Sequence, residues 1–435
     1  MRKFFSLKEN GTDVRTEILA GLTTFMTMAY ILSLNPSFLS AAGMEWGRVF
    51  TATALSSAIA CFVMGLYANL PFALAPGVGM GAFFSYTVCL GMGYSWKFAL
   101  TAIFVEGVIF ILLSVFKVRE AIVNSIPLSL KKAFGVGIGF FIAFIGLKNA
   151  GIVVSDASNY VGLSSHWMFG APLVAIIGTI IGGILLKRNV KGALLISMLI
   201  ATVIGIPLGV TSYAGGSYLP STPYFCDFAF GEITASSKSL ADFFTVTFIF
   251  LFDDMFNTVG TLVGCAGSSG MLKPDGSVPR CGEALLSDAI GTTVGSVFGT
   301  STVTTFVESS AGVVAGGRTG LTAIVTGILF LISLFLTPLF ASIPGAATAS
   351  ALILVGVMMA KPVTEMDFSE DLTEAIPSFL TILFMVCTSS IPNGIMFGVL
   401  SYVVLKLFTG KAKSISPTLW VVFGMFAVSA LVSAL

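Results

Sequence analysis

Leu70-Pro-Phe-Ala-Leu-Ala-Pro-Gly-Val-Gly-Met-Gly-Ala-Phe-Phe84 and Gly299-Thr-Ser-Thr-Val-Thr-Thr-Phe-Val-Glu-Ser-Ser-Ala-Gly312 are apolar stretches interrupted by Pro and Gly or crowded with Thr and Ser, and Leu70 to Pro76 cannot be continuous helix. In the first, Pro71 and Pro76 remove backbone donors and clash with the preceding turn. In the second, Thr300 to Phe306 is β-prone by composition. Each reads as a short extended piece followed by a half-helix, starting near Gly79 to Gly81 and near Val307 to Ser309. Non-helical backbone at membrane depth must be buried in protein or face a water-filled cavity. The half-helix N-termini therefore aim free N–H groups and partial positive charge at the protein centre.

Composition explains why membrane depth is the issue. Of 435 residues, 56% are hydrophobic and 10% charged, against about 25% charged in soluble domains. Mean hydropathy is +0.98. A soluble fold must still present a wetted exterior and could not hide so much apolar surface. Disulfide modules, nucleic-acid binders and soluble enzymes are excluded as readings of the whole chain. The net charge of +1 draws in no anionic polymer. His166 is the one histidine, which removes most His-based metal and catalytic sites; no cofactor or metal is expected. The cysteines are scattered without a C-x-x-C and read as small buried thiols.

A crossing helix needs about 20 apolar residues. Spans are expected at 17–36, 49–70, 95–117, 133–148, 170–187, 191–210, 241–264, 283–299, 319–342, 345–360, 375–391 and 392–408. The interrupted stretches 71–91 and 300–316 bring these to fourteen crossings. A surplus segment, 416–434, crosses or lies on the surface. Lys and Arg set orientation. Arg2, Lys3, Lys8, Arg15, Lys117, Arg119, Lys131, Lys132, Lys187, Arg188, Lys191, Lys273, Arg280, Arg318, Lys411 and Lys413 share one side when both interrupted stretches cross. That side, with the N-terminus, is read as cytoplasmic, in the cell (inner) membrane. Loop 211–240 then lies outside and splits the chain into two halves of seven segments. Seven is odd, so the second half is inserted upside down. Breaks at matching positions of inverted halves point to a transporter site.

Ionisable residues at depth are costly and are functional candidates by default. Glu308 sits at the second break. Asp253 and Asp254 lie mid-span, Glu106 in the middle of 95–117 and Asp288 in 283–299. Residues advance 100° along a helix, so Asp254 and Asn257 share a face, Asp253 and Asn257 are neighbours, and the two aspartates diverge. Either one can face the cavity. Two acids with Asn, Thr, backbone N–H groups and Phe83 or Phe84 suit a flat, hydrogen-bonding neutral solute such as a nucleobase, whose ring N–H groups a carboxylate can accept. Thr305 and Ser309 flank Glu308 and join the candidate set. A carboxyl group in a low-dielectric cavity holds a proton more readily than one in water, the physical basis of proton coupling. Read alone, these residues fit a proton- or cation-coupled carrier of a small polar solute.

Several long stretches, in order, resemble the AzgA-like purine permeases of the nucleobase–cation symporter-2 superfamily. They are Thr16-EILAGLTTFMTMAYILSLNP-Ser37, ANLPFALAPGVGMGAFFSY (68–86), LKKAFGVGIGFFIAFIGLKNAGIV (130–153), LFDDMFNTVGTLVG (251–264) and TTFVESSAGVVAGGRTGLTAI (304–324). The resemblance implies a uracil-permease-like fold: an all-α polytopic membrane protein of fourteen segments in a 7+7 inverted repeat, with segments 3 and 10 pairing as short strands. It implies a core domain, 1–130 and 241–343, and a gate domain, 131–240 and 344–435. It also implies proton-driven uptake of hypoxanthine, guanine or adenine, elevator-like movement and a homodimer. The family's segment-10 glutamate matches Glu308, and its first segment-8 aspartate matches Asp254. Its second, in D-x-F-D-T-x-G-T-L, falls on Asn257. Its segment-3 asparagine, in A-P-G-M-G-L-N-A, falls on Gly81. Asn257 keeps shape but cannot titrate, and Gly81 is read as opening space. These departures favour adenine, a larger base or another solute, with Asp253 compensating for the lost acid. Asp254, Glu308, Asp253 and Asp288 are the candidates for proton coupling.

Other readings predict other signs. An anion or bicarbonate carrier on the same fold calls for a basic residue at the second break, where Glu308 stands. An uncoupled channel calls for flux without saturation. A membrane enzyme calls for a metal, nucleophile–base or phosphate-loop motif, and none is visible.

Overall fold

The computed structural model describes residues 5–115, 127–156, 160–215, 217–267, 271, 278–368, 371–417, 419–420, 422–424 and 426–427. Residues 17–36 lie in two helices rather than one, α1 (Val14–Met28) and α2 (Ile31–Ala41), separated at Ala29–Tyr30. The Asp13 side chain caps α1 by accepting from the Thr16 N–H. α3 (Trp46–Val63) ends in a π-helical turn, Met64–Ala68, stopped by Asn69 at φ +50°. Strand β1 (Leu74–Pro76) follows, then α4 (Val78–Ala82), which continues as π-helix to Gly91. Next come α5 (Trp96–Val115), α6 (Leu128–Asn149), β2 (Val153–Asp156), β3 (Tyr160–Leu163), α7 (Gly170–Lys187) and α8 (Ala193–Gly205). The second half holds α9 (Phe230–Ile233), α10 (Ser237–Gly267), α11 (Cys281–Phe298), β4 (Val303–Thr305), α12 (Ser309–Val314), α13 (Gly320–Ser333) and α14 (Thr337–Ala341). It closes with α15 (Gly345–Met359), α16 (Leu372–Cys387) and α17 (Ile391–Phe408).

Among the described residues, seven helices are long and apolar enough to cross a bilayer, and four shorter apolar helices accompany them. This is a multi-pass membrane protein. Lys117, Arg119 and Lys273, used above for orientation, lie outside the described residues, as do Arg2 and Lys3. So do residues 428–434 of the surplus segment. In its described part Leu419, Val422 and Phe426 are buried, and the Phe426 ring lies 6.2 Å from Phe248 of α10.

β1 and β4 pair antiparallel, with Leu74 opposite Thr305, Ala75 opposite Thr304 and Pro76 opposite Val303. Pro76 has no N–H to give. The Gly77 N–H instead reaches Thr302 O at 2.9 Å, and the Phe306 N–H reaches Ala73 O at 3.0 Å. Extended backbone deep in the protein thus finds its hydrogen bonds in the other break, as the absence of water at depth demands. A second antiparallel pair, β2 with β3, occupies what the sequence reading left as a plain loop between spans. Its residues are mostly exposed and carry no apolar alternation strong enough to mark a strand.

Two sets of helices pack mainly within themselves. In one, α1 lies on α13, α13 on α3, α3 on α11, α11 on α5 and α5 on α10. In the other, α6 lies on α15 and α16, α16 on α17, and α7 on α8 and α15. Gly139 and Gly356 let α6 and α15 approach closely. A Cβ on Gly139 would sit 2.8 Å from Gly356 O, and one on Gly356 would sit 2.5 Å from Gly139 O. Glu17 is fully buried in α1 and serves α13, accepting from the N–H groups of Arg318 (2.8 Å) and Thr322 (3.1 Å). Asn69 accepts from the Gly320 N–H at 2.8 Å. Both satisfy donors that a helix start leaves unpaired.

Candidate functional site

The β1–β4 pair and the two half-helices converge on Glu308. This residue immediately precedes α12 in helical backbone conformation. The Tyr30 hydroxyl, at the start of α2, donates to Glu308 Oε1 at 2.7 Å. Hydrogen bonds to an ionised acceptor are among the stronger ones, so Tyr30 fixes where the carboxylate points. A cavity of about 350 Å³ opens here. One wall is Tyr30, Gly77, Val78, Gly79, Asn257 and Thr304 to Glu308; the other is Val355, Met358, Met359 and Lys361. The first wall belongs to the helix set containing α1 and α10, the second to α15 and the turn after it.

Of the sequence candidates, Glu308, Asn257 and Thr305 line this cavity. Asp254 does not. It is fully buried behind the strand pair, 3.3 Å from the Thr258 hydroxyl and 3.5 Å from that of Thr292. Asp288 is also fully buried and accepts from Thr258 at 2.9 Å and Thr305 at 3.4 Å. Asp253 is the aspartate nearer the cavity wall: its Oδ2 lies 3.7 Å from where a Gly79 Cβ would be, beside Ile138 of α6. Ser309 turns to β1, its Oγ accepting the Ala73 N–H at 2.9 Å.

Phe83 and Phe84 are buried and offer no stacking face to the cavity, and Phe83 packs edge-on against Phe250 at 4.8 Å. Gly81 opens no space. A Cβ there would lie 3.1 Å from both Asn35 Oδ1 and Phe38 Cδ2. The amide beside position 81 is that of Asn35, which donates to Thr53 and Thr300 at 2.8 Å each and accepts from Ser301 at 3.0 Å.

Sequence reasoning missed Tyr30, Thr304 and the wall formed by Val355, Met358, Met359 and Lys361. Tyr30 sits inside the quoted stretch after Thr16, but nothing in the spacing marks the interruption at Ala29–Tyr30. Lys361 directly follows the span expected at 345–360, and sequence does not give its depth within a tilted assembly.

The Permease family model matches residues 15–397. Adenine permease AdeP of Escherichia coli is 41% identical over 429 residues, covering 98% of this chain and 95% of that one. Guanine/hypoxanthine permease PbuG of Bacillus subtilis is 42% identical over 442 residues, covering 98% of each. The transmembrane domain of the cyanobacterial bicarbonate transporter BicA superposes with a TM-score of 0.67 at 16% identity, covering 88% of this chain and 97% of that one; at that identity the likeness is one of fold. Matched along nearly its whole length, the chain is a transporter rather than an enzyme and belongs to the permease family, in the AzgA-like branch of the nucleobase–cation symporters.

Proposed function

We propose that this protein takes up a purine nucleobase (adenine, guanine or hypoxanthine) together with protons. The observation that carries the reading is the buried-strand cavity with Glu308 held at 2.7 Å by Tyr30. A carboxylate so placed accepts ring or exocyclic N–H groups of a base, while Asn257 and Thr305 offer both donors and acceptors. With Phe83 and Phe84 packed away, Phe306 and the thioethers of Met358 and Met359 supply the apolar faces. About 350 Å³ falls at the small end of the usual 300–1,000 Å³ for ligand pockets, in keeping with a compact solute. The names of the relatives support the substrate class, and the departure at Asn257, which lines the cavity, bears on the choice of base.

Two cavity walls drawn from different helix sets support a reading of alternating access. The set containing 1–130 and 241–343 acts as the core and carries the base. The set containing 131–240 and 344–435 acts as the gate, and elevator-like sliding exposes the cavity to each side in turn. Fourteen crossings in a 7+7 inverted repeat, a cytoplasmic N-terminus, the cell (inner) membrane and a homodimer complete the reading. Proton coupling is assigned to Glu308, Asp253, Asp254 and Asp288.

The test is binding of a nucleobase panel to purified protein, with Glu308→Gln beside the wild type. Saturable binding of a purine by the wild type, lost in Glu308→Gln, is the expected result. A folded wild type that binds no purine, xanthine or uracil overturns the assignment. Lys361, an exposed cation on the cavity wall, gives an anionic solute its one supporting observation. Bicarbonate and urate therefore belong in the same panel.

A further inference from the structure

Behind the strand pair lies a second group of acids that the cavity does not use. Glu106 of α5, Asp254 of α10 and Asp288 of α11 are each fully buried. The Thr302 hydroxyl donates to Glu106 Oε2 at 3.1 Å. Oε1 of the same residue is buried and, among the described residues, accepts from no donor. The Glu106 carboxyl meets that of Asp254 within hydrogen-bonding reach and faces Asp288. Two carboxylates have no hydrogen to share, so a bond between them exists only when one carries a proton.

Among the described residues, Glu106 forms no ion pair. α10 presents Asp254 and α11 presents Asp288, while the segment leading into β4 presents the Thr302 hydroxyl. The half-helix 78–91 carries no charged residue. Glu232 of α9 is taken up by Ser95, at 2.8 Å. Like charges confined together in a dry interior cannot all be ionised.

A hydroxyl path joins this group to the cavity. Thr258 Oγ1 lies 2.9 Å from Asp288, 3.3 Å from Asp254 and 2.8 Å from Thr304 Oγ1. Thr304 lines the cavity, as does Thr305, whose hydroxyl donates to Asp288. A hydroxyl accepts a proton on its lone pair while releasing its own, so the chain Asp288–Thr258–Thr304 passes a proton and ends unchanged.

We infer that Glu106, Asp254 and Asp288 form a single buried proton store, and that the Thr258–Thr304 hydroxyl pair connects it to the cavity. The inference rests on the proton-coupled reading above and adds Glu106 and Thr258 to it. The proton leaves the shared carboxyl pair, crosses Thr258 and Thr304, and reaches the cavity, where Glu308 takes it up. The return of the empty carrier reloads the store.

The test has two arms. In vesicles carrying a lumenal pH dye, Glu106→Gln and Thr258→Val bind base as the wild type does but lower base-driven proton movement by about tenfold or more; Thr258→Ser restores it. Wild-type proton movement in both Glu106→Gln and Thr258→Val overturns the inference. So does loss of wild-type uptake when sodium is replaced by choline at fixed pH, since the group then holds a metal cation. The second arm needs no substrate. The infrared carbonyl band of a protonated carboxyl group is expected in the wild type at neutral pH and is lost or shifted in Glu106→Gln. Its absence from the wild type, or its persistence unchanged in the variant, removes the store. If no base binds but this band behaves as expected, the substrate assignment fails and the store stands.

Discussion

The Tyr30–Glu308 bond, at 2.7 Å, ties a residue of the first half to the carboxyl group at the second break. Tyr30→Phe keeps the ring and deletes the donor. A hydrogen bond to a charged group contributes about 1.5–3 kcal/mol, so base binding in Tyr30→Phe should weaken by roughly tenfold or more. Calorimetric titration with the preferred base checks this, and unchanged affinity would detach Tyr30 from the site. Gly81 behaves oppositely. Restoring the family's asparagine with Gly81→Asn drives a side chain into Asn35 and Phe38, each 3.1 Å from the new Cβ. Overpacking of this kind costs about 1–3 kcal/mol. The expected outcome is a lower thermal unfolding midpoint in detergent with no gain of guanine or hypoxanthine binding. A variant as stable as the wild type with a switched preference would return Gly81 to the specificity set.

Among the elements, α16 is anchored at its start by charge. The Asp371 side chain caps its N-terminus, accepting from the Thr373 N–H at 2.9 Å, and meets Lys411 at 2.8 Å and Lys406 at 3.5 Å. The Lys411 hydrogen bond foremost, then those of Thr373, hold the Asp371 carboxyl well below the ordinary carboxylate range. Its ionised form favours the folded state. That contribution is complete above the unfolded value, near 3.9, and drains only as pH falls through the lower folded value. Acidifying from about pH 7.5 to about pH 5 should therefore leave the unfolding gap between wild type and Asp371→Asn unchanged; a gap that closes by pH 5 contradicts the anchor. Elements of this kind differ in how plainly sequence announces them. Pro71, Pro76 and the threonine-rich run before Phe306 mark extended backbone by chemistry alone, and β1 and β4 lie within those stretches. Which wall a side chain faces was less legible. Asp253 and Asp254 diverge by helical rotation, but only the packing of α10 against α5, α11 and β4 sends Asp254 inward. Phe83 looked like a stacking platform because its neighbour Phe250 is 167 positions away in the chain. The β2–β3 hairpin carried no periodic signal at all.

For the whole molecule, sidedness is the property most open to direct measurement. Cys226 is exposed in the loop between the halves, and Cys281 is partly exposed at the start of α11. With the N-terminus cytoplasmic, an impermeant maleimide on intact cells should label Cys226, and Cys281 only after the membrane is opened. The reverse pattern would invert the topology and the direction of uptake assigned to it. The strand pair has a further consequence for biogenesis. Leu74 meets Thr305, so β1 leaves the ribosome long before its partner exists. At about 5–20 residues per second of synthesis, a separation of roughly 230 residues leaves β1 unpaired for about ten seconds or more. During that interval its backbone polar groups sit at the bilayer with no strand to satisfy them. A nascent chain that stalls before β4 therefore presents an open strand edge to the insertion machinery and to membrane proteases, so chains cut short before Val303 should be degraded rather than accumulate as half-carriers.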